Sequence, residues 1–335
     1  MKVIEIRGSY GVDSLELVER PDLVPGPGQV VLEMKAFSIN FRDLLVVNGV
    51  GRWKPSLPRV PLSDGVGIVT ATGDGVSRVK VGDRVAPIFY PKWLEGRIAP
   101  EKLEQPLGGA VADGVLAEYT LVDEASLVPV PAHLTDEEAA TLPCAGVTAW
   151  SALVPFGGIA PGDWVVVPGT GGVSIFAFQF ARLLGARVIV TSSSDQKLAR
   201  ATELGATAVI NYRKEPDWPR AVMELTDGVG ADHVVDTVGG LKEAIAAVRP
   251  AGAVALVGLL TGMTAEIDLV TFMGKAARVE AVEVGSRASF EAMNRAIESH
   301  RMRPVVDRVF EFDELGEALQ YLKEGRHFGK VCLRA

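Results

Sequence analysis

The chain has 335 residues, 48% of them hydrophobic and 23% charged, which fits two globular domains at roughly 150 residues each and excludes disorder. Arg and Lys total 34 against 42 Asp and Glu, a net charge of −8, and no basic face is available to displace counterions, so nucleic acid is excluded as a partner class. Two cysteines cannot frame a disulfide scaffold, the N-terminus lacks an apolar signal core, and no stretch approaches ~18 uncharged apolar residues; the expectation is a cytoplasmic protein outside the membrane.

In chain order, the first half reads as short β-type runs broken by Gly and Pro, at residues 30–37, 67–72, 83–88 and 116–122. This pattern predicts an antiparallel, barrel-like domain. Residues 90–114 have no clear period and are long for a plain connection, the kind of segment that often serves as a lid. Thr135 and Glu138 carry the capping-box spacing that opens a helix. After Pro161-Gly162-Asp163 the period changes. Val/Ile/Leu runs at 164–168, 187–191, 208–210, 233–236 and 253–257 alternate with helical patterns at 172–184, 195–204, 218–225 and 241–248. That alternation predicts a parallel sheet covered on both faces. Residues 313–324 form an amphipathic helix with Gly325 as its stop.

The strongest local motif is Val167-Pro168-Gly169-Thr170-Gly171-Gly172-Val173-Ser174, a G-x-G-x-x-[G/A] pattern with Ser174 at the last position. Placed after a strand and opening a helix, it is built to hold a dinucleotide. Gly169 permits the tight turn and Gly171 lets the backbone approach a pyrophosphate, which rests on the amide-rich helix start. NAD enzymes carry Asp or Glu about 20 residues after the first glycine, to accept from the ribose 2′-OH. Here that strand ends Thr191-Ser192-Ser193-Ser194, and the next acid is Asp195. Without that carboxylate a 2′-phosphate is not repelled, and Lys197, Arg200 and Tyr212-Arg213 are available as donors, so NADPH is expected ahead of NADH. The competing reading is that the serines cap a helix and Lys197 is a solvated charge.

Taken together, Ser38–Asp43, Asp64-Gly65-Val66-Gly67, Val79–Val85, Leu142–Ala149, the Gly169–Ser174 loop, Leu204-Gly205-Ala206, Asn211-Tyr212-Arg213 and Asp236–Gly239 make the whole chain resemble the medium-chain dehydrogenase/reductase superfamily, in its zinc-independent, quinone oxidoreductase-like branch. The resemblance implies a GroES-like β-barrel catalytic domain from residues 1–146 and 286–335, with a Rossmann doubly wound domain at 147–285 inserted between them. It also implies a homodimer or homotetramer joined through the nucleotide-binding domains.

The positions matching the zinc ligands of relatives are Asn40, Ser63 and Cys144, and one thiol with an amide and a hydroxyl does not make a three-ligand zinc site. Residues 90–114 contain no cysteine for a structural zinc lobe, and His133, His233, His300 and His327 have no paired metal spacing. Cys144 is expected as a buried small apolar residue and no metal is expected. The resemblance puts Asn40, Asp43, Thr148 and Val173 near the nicotinamide. Asn40 is placed to donate to a substrate oxygen and Thr148 to pack on or bond the ring. Asp43 either orients Asn40 or a water, or serves as a cap and partner of Arg42. Further cofactor contacts implied are Thr237, Val238, Val257, Gly258, Leu259, Val282 and Val284. Arg326 either reaches the 2′-phosphate or partners a helix terminus.

Trp53, Tyr90 and Trp93 are expected either to line a substrate cleft or to be core. Leu45 and Trp53 stand where quinone-reductase relatives often carry tyrosines, which leaves water to deliver the final proton. The function expected is an NADPH-dependent reductase of quinones or α,β-unsaturated carbonyls acting on a small molecule. Two alternatives stand beside it: a zinc-type alcohol dehydrogenase-like enzyme, and a non-catalytic NADPH-binding protein.

Overall fold

Strand-forming residues bounded by Gly turns lay down the first sheet. In the computed structural model, which describes residues 1–335, a hairpin of β1 (Lys2–Ile6) and β2 (Leu15–Glu19) precedes the eleven-residue β3 (Gln29–Ile39). Helix α1 (Phe41–Val47), β4 (Asp64–Thr72), β5 (Arg84–Pro87), β6 (Tyr119–Asp123), β7 (Leu127–Pro129) and α2 (Asp136–Ala140) follow. A helical run then carries α3 (Val147–Ser151) between π-helical turns Leu142–Gly146 and Ala152–Gly157. Next come β8 (Trp164–Pro168), α4 (Gly172–Leu183), β9 (Arg187–Ser192), α5 (Asp195–Glu203), β10 (Ala208–Asn211) and α6 (Trp218–Leu225). They are followed by β11 (Ala231–Asp236), α7 (Leu241–Ala247), β12 (Val248–Leu256), α8 (Leu269–Lys275) and β13 (Arg278–Ala281). The chain closes with α9 (Arg287–His300), β14 (Val306–Glu311), α10 (Leu315–Lys323) and β15 (Lys330–Arg334). No helix is long and apolar enough to cross a membrane.

Two units result. The first joins Met1–Val147 to Gly285–Ala335. Its seven-stranded sheet runs β14-β15-β3-β4-β5-β7, with β6 also on β3. Only β14 and β15 are parallel; β3 pairs antiparallel with β6 along its first half and with β15 along Ala36–Ile39. β3 buries Val30, Leu32 and Met34, and past a register shift Phe37, in one core with Ile6, Leu116, Leu127, Val331 and Leu333. At ~25 cal/mol per Å2 of apolar surface removed from water, that shared core is the main term joining the two ends of the chain.

The second unit, Thr148–Val284, is a six-stranded parallel sheet in the order β10-β9-β8-β11-β12-β13. Numbered within the unit, that order is 3-2-1-4-5-6, so the strand direction of travel reverses between β8 and β11. Fully buried Val165, Val166 and Val167 of β8 and Val188 and Ile189 of β9 fill its centre, as their unbroken apolar runs require for a strand covered on both faces.

The parallel strands and helices that were expected lie within a few residues of their bounds, apart from β12, while α8 and β13 were not expected. β12 starts at Val248 and crosses an irregularity before the expected 253–257 run. The expected helix at 313–324 is a 3-10 turn (Phe312–Glu314) leading into α10. Residues 90–114 contain one 3-10 turn, Pro100–Lys102, and no strand. The Thr135–Glu138 capping box forms in both directions at α2.

Candidate active site

In the parallel unit, the glycine loop and the turns expected to hold a dinucleotide gather at the β8/β11 reversal. Gly169 leaves β8 with φ +83°, a conformation that L side chains rarely adopt, and its N–H donates to the Thr191 carbonyl (2.8 Å). Gly171 is the N-cap of the twelve-residue α4 and no side chain caps that end, so the first amides, those of Gly172 and Val173 included, are left for an anion. Ser174, at the departure from the glycine pattern, is buried. Its hydroxyl donates to the Pro168 carbonyl (3.0 Å) and shares a 2.7 Å bond with Thr237 Oγ1, tying the glycine loop to the turn after β11.

That second turn is held by Asp236, whose Oδ1 accepts from the N–H groups of Val238, Gly239 and Gly240. Burial still pushes its carboxyl above the usual range, against those three donors. The backbone at Gly258 packs so closely on this turn that a Cβ there would overlap the Thr237 carbonyl. Val257 and Gly258 both donate to the Asp236 carbonyl, and Val282 donates to Leu256. Thr148 Oγ1 donates to the Glu283 carbonyl (3.2 Å), which brings Thr148 beside Val282 and Val284. The structure thus brings Gly169, Thr237, Val238 and Gly258 together, with Thr148, Val282 and Val284 as a second group.

At the far end of β9, Ser192 Oγ accepts from the Ser194 N–H (3.2 Å) and Ser194 Oγ from the Lys197 N–H (3.4 Å). Ser194 is therefore the N-cap of α5, and the capping part of the competing reading holds for it. Asp195 is bonded by Asn211 Nδ2 (2.7 Å) and Lys214 Nζ (2.8 Å), and those two partners hold its carboxyl below the usual range. Lys214 is a cation that sequence reasoning missed; only the pairing of β9 with β10 brings residue 214 to Asp195. Tyr212 is exposed and its N–H donates to the Ser192 carbonyl.

In the other unit, a buried polar cluster is contributed by β4, α1, β15 and the end of β3. Asn40 follows β3 and caps α1; its N–H donates to Asp43 Oδ2 (2.7 Å). Asp43 is fully buried with Arg42 Nη1 at 3.5 Å, so it acts both as a cap and as a partner of Arg42. Burial pushes its carboxyl up to about 6, more than Arg42 and the Asn40 amide offset. Asp64, at the start of β4, is also fully buried; it accepts from Ser63 Oγ (2.7 Å) and the Cys144 N–H (3.1 Å), and burial raises its carboxyl despite Lys330. Lys330 opens β15. Its buried Nζ donates to the Ile39 carbonyl (2.7 Å) and to Asn40 Oδ1 (2.6 Å).

The expectation of a buried Cys144 is corrected in part: on the π-helical turn Leu142–Gly146 it is only partly covered. Close packing and the Asp64 carboxylate nonetheless push its thiol up, which disfavours the thiolate a metal needs. At the three positions matched to zinc ligands, Asn40 Oδ1 is bonded to an ammonium and Ser63 donates to Asp64. Such a set does not fit zinc, and no group of three His, Cys, Asp or Glu side chains gathers elsewhere to hold a metal.

Of the expected cleft aromatics, Tyr90 and Trp93 lie together, with ring centroids 6.4 Å apart, and Tyr90 is buried against Phe89. Trp53 is partly buried and packs against the β core with Arg52 over its ring. The Arg326 guanidinium pairs with Glu324 (2.6 Å) and lies over the Tyr321 ring, at the end of α10.

A β-sheet unit formed by both chain ends around a 3-2-1-4-5-6 nucleotide-binding unit defines a class of two-domain dehydrogenases. Comparison with known proteins gives the family. The model for the alcohol dehydrogenase GroES-like domain matches residues 26–132, and that for zinc-binding dehydrogenases matches 172–299. A zinc-type alcohol dehydrogenase-like protein of Schizosaccharomyces pombe is 41% identical over 319 residues, 92% of this chain and 91% of the relative. A solved structure from Sinorhizobium meliloti 1021, bearing the name alcohol dehydrogenase, has a TM-score of 0.92 at 40% identity over 100% of this chain and 99% of its own. The quinone oxidoreductase of Pseudomonas syringae pv. Tomato DC3000 has a TM-score of 0.83 at 29% identity, over 100% and 99%; a mycobacterial protein complexed with NADPH has 0.81 at 28%, over 100% of both chains. The chain belongs to the medium-chain dehydrogenase/reductase superfamily, and it is an oxidoreductase of the alcohol dehydrogenase-like kind.

Proposed function

We propose that this oxidoreductase is zinc-free and NADPH-dependent, and reduces quinones or α,β-unsaturated carbonyls. The observation that carries the reading is the buried Lys330–Asn40 pair, an ammonium bonded to the side chain that stands where relatives have a metal ligand. A dication placed beside that ammonium would meet like charge and a thiol that resists ionisation. Without a metal, the substrate oxygen has to be polarised by a hydrogen-bond donor, and we assign that role to the Asn40 amide. Thr148 Oγ1, already donating to Glu283, keeps lone pairs to accept from a carboxamide.

NADPH supplies the hydride when bound. The Gly169–Val173 loop and α4 start would hold its pyrophosphate; Thr237, Val238, Val257, Gly258 and Leu259 would form the adjoining wall. Ser192, Ser193 and Lys197 would meet the 2′-phosphate, with Asp195 neutralised by Lys214. The names of two structural relatives, a quinone oxidoreductase and an NADPH complex, support the same reading.

The test is NADPH oxidation against 1,4-benzoquinone, 2-cyclohexenone and a set of aldehydes, with zinc measured in the purified protein. Turnover of the quinone or enone at less than about 0.1 zinc per chain is expected from the ligand set. Stoichiometric zinc, or turnover confined to alcohols and aldehydes, would overturn it. Lys197→Ala should weaken NADPH by at least ~10-fold and NADH little, a loss of about 1.4 kcal/mol or more; equal losses would remove the 2′-phosphate assignment. A second reading, oxidation and reduction of alcohols and carbonyls, is favoured by the names of the S. pombe and S. meliloti relatives.

A further inference from the structure

Lys330 carries chemistry that the family assignment does not explain. It is 3% exposed, on a strand reached 290 residues after Asn40, and its Nζ makes two short hydrogen bonds, to the Ile39 carbonyl and Asn40 Oδ1. An ammonium has three donors and no acceptor. It therefore dictates which way the Asn40 amide faces, since Nδ2 turned toward Nζ would set donor against donor. Nδ2 is in consequence the atom left over. It is buried and makes no well-formed hydrogen bond, although the Asp64 carboxylate lies close enough to attract it. A buried amide NH2 so poorly matched is left short of a good acceptor, which a ligand oxygen would supply.

The entry of Lys330 is itself constrained. Gly329 precedes it at φ +89°, where a Cβ would overlap the Val305 carbonyl, and the Lys330 N–H donates to that same carbonyl (2.9 Å). Backbone and side chain thus both fix where the ammonium sits.

We propose that Lys330 is a positioning residue, which locks the Asn40 amide with Oδ1 toward itself and Nδ2 presented as donor to the carbonyl oxygen of a quinone or enone. This rests on the donor role given to Asn40 above. Charge on the substrate oxygen grows as hydride arrives, so a preset donor acts mainly on kcat.

The test is a double-mutant cycle of Asn40→Ala and Lys330→Met, measured as kcat and KM with 1,4-benzoquinone, alongside NADPH affinity and thermal midpoint. Asn40→Ala should lower kcat by about 10²-fold with KM nearly unchanged. Lys330→Met should lower kcat by at least ~10-fold, yet add almost nothing in the Asn40→Ala background. Removing Lys330 alone leaves Asp64 uncompensated and can prevent folding. The charge-neutral pair Lys330→Met/Asp64→Asn then serves in its place and should show the same fall in kcat. Additive losses, or a fall in thermal midpoint with kcat intact, would overturn the positioning role while leaving the Asn40 donor standing. An Asn40→Ala variant with unchanged kcat would defeat the donor reading and this inference with it.

Discussion

Asp43 meets two demands that pull its proton in opposite directions. Its carboxyl closes the first turn of α1 by accepting the Asn40 N–H, which favours the anion, while complete burial favours the acid and wins. The folded protein thus holds a proton up to about pH 6 that the unfolded chain releases near 4. With more protons bound in the native state, stability falls as pH rises across that window. This contribution is full below about pH 4 and gone above about 6; a two-unit shift corresponds to ~3 kcal/mol at most. Asp43→Asn keeps an acceptor for Asn40 and removes the titration. Its thermal midpoint should decline less between pH 4 and 6 than that of the parent, with the remaining slope due to Asp64 and Asp236, whose carboxyls are also raised. A parent-like slope measured by scanning calorimetry would refute the assignment.

At the scale of elements, the cofactor turns depend on backbones lying closer than any side chain allows. Gly258→Ala would push a methyl into the Thr237 carbonyl and displace the turn that Asp236 organises. A fluorescence titration should show NADPH affinity reduced by at least ~10-fold, about 1.4 kcal/mol. Gly316→Ala on α10 is the control: its Cβ would meet open space, so affinity should hold while helix propensity adds up to ~1 kcal/mol of stability. Equal affinities for the two variants would refute the close-packing argument.

The inner strands β8, β9 and β11 were legible because burial on both faces gives each an apolar run, as in Val165–Val167. Edge strand β13 reads Arg-Val-Glu-Ala, exposed and half polar, and gives no such signal. Helix α1 was missed because seven residues span too few turns to establish a period. The cluster around Asn40 was half legible. Motif positions pointed to Asn40, Asp43, Ser63 and Cys144, but nothing local marks a lysine in Gly-Lys-Val-Cys as buried beside them. That follows from β15 pairing with β3, a contact between opposite ends of the chain.

For the whole molecule, one segment of exposed apolar side chains stands beside an open sheet edge. Leu269 is 66% exposed, Val270 81% and Met273 78%, with Leu260 and Met263 near them in sequence. They precede β13, whose outer edge has no strand partner. Isolated edges and apolar patches of this kind invite pairing with a second copy. If a second copy pairs there, the parent should run at about 71 kDa in light scattering, and Met273→Glu together with Val270→Glu should return it to the 35.6 kDa chain with NADPH affinity retained. A parent already monomeric, or a double variant still dimeric, would refute self-association through this segment.

The antiparallel seam of β3 with β15 also dictates an order of assembly. As a ribosome emits the chain, residues 148–284 are complete while β3, already flanked by β4 and β6, still lacks its β15 neighbour, and the Lys330 ammonium that will meet Asp64 has not been made. The inserted unit can therefore fold first and the surrounding one only after release of β15, with loop closure of nearly 300 residues setting its pace. A nascent chain stalled before Lys330 should accordingly resist protease across the nucleotide-binding unit and be cut within β3.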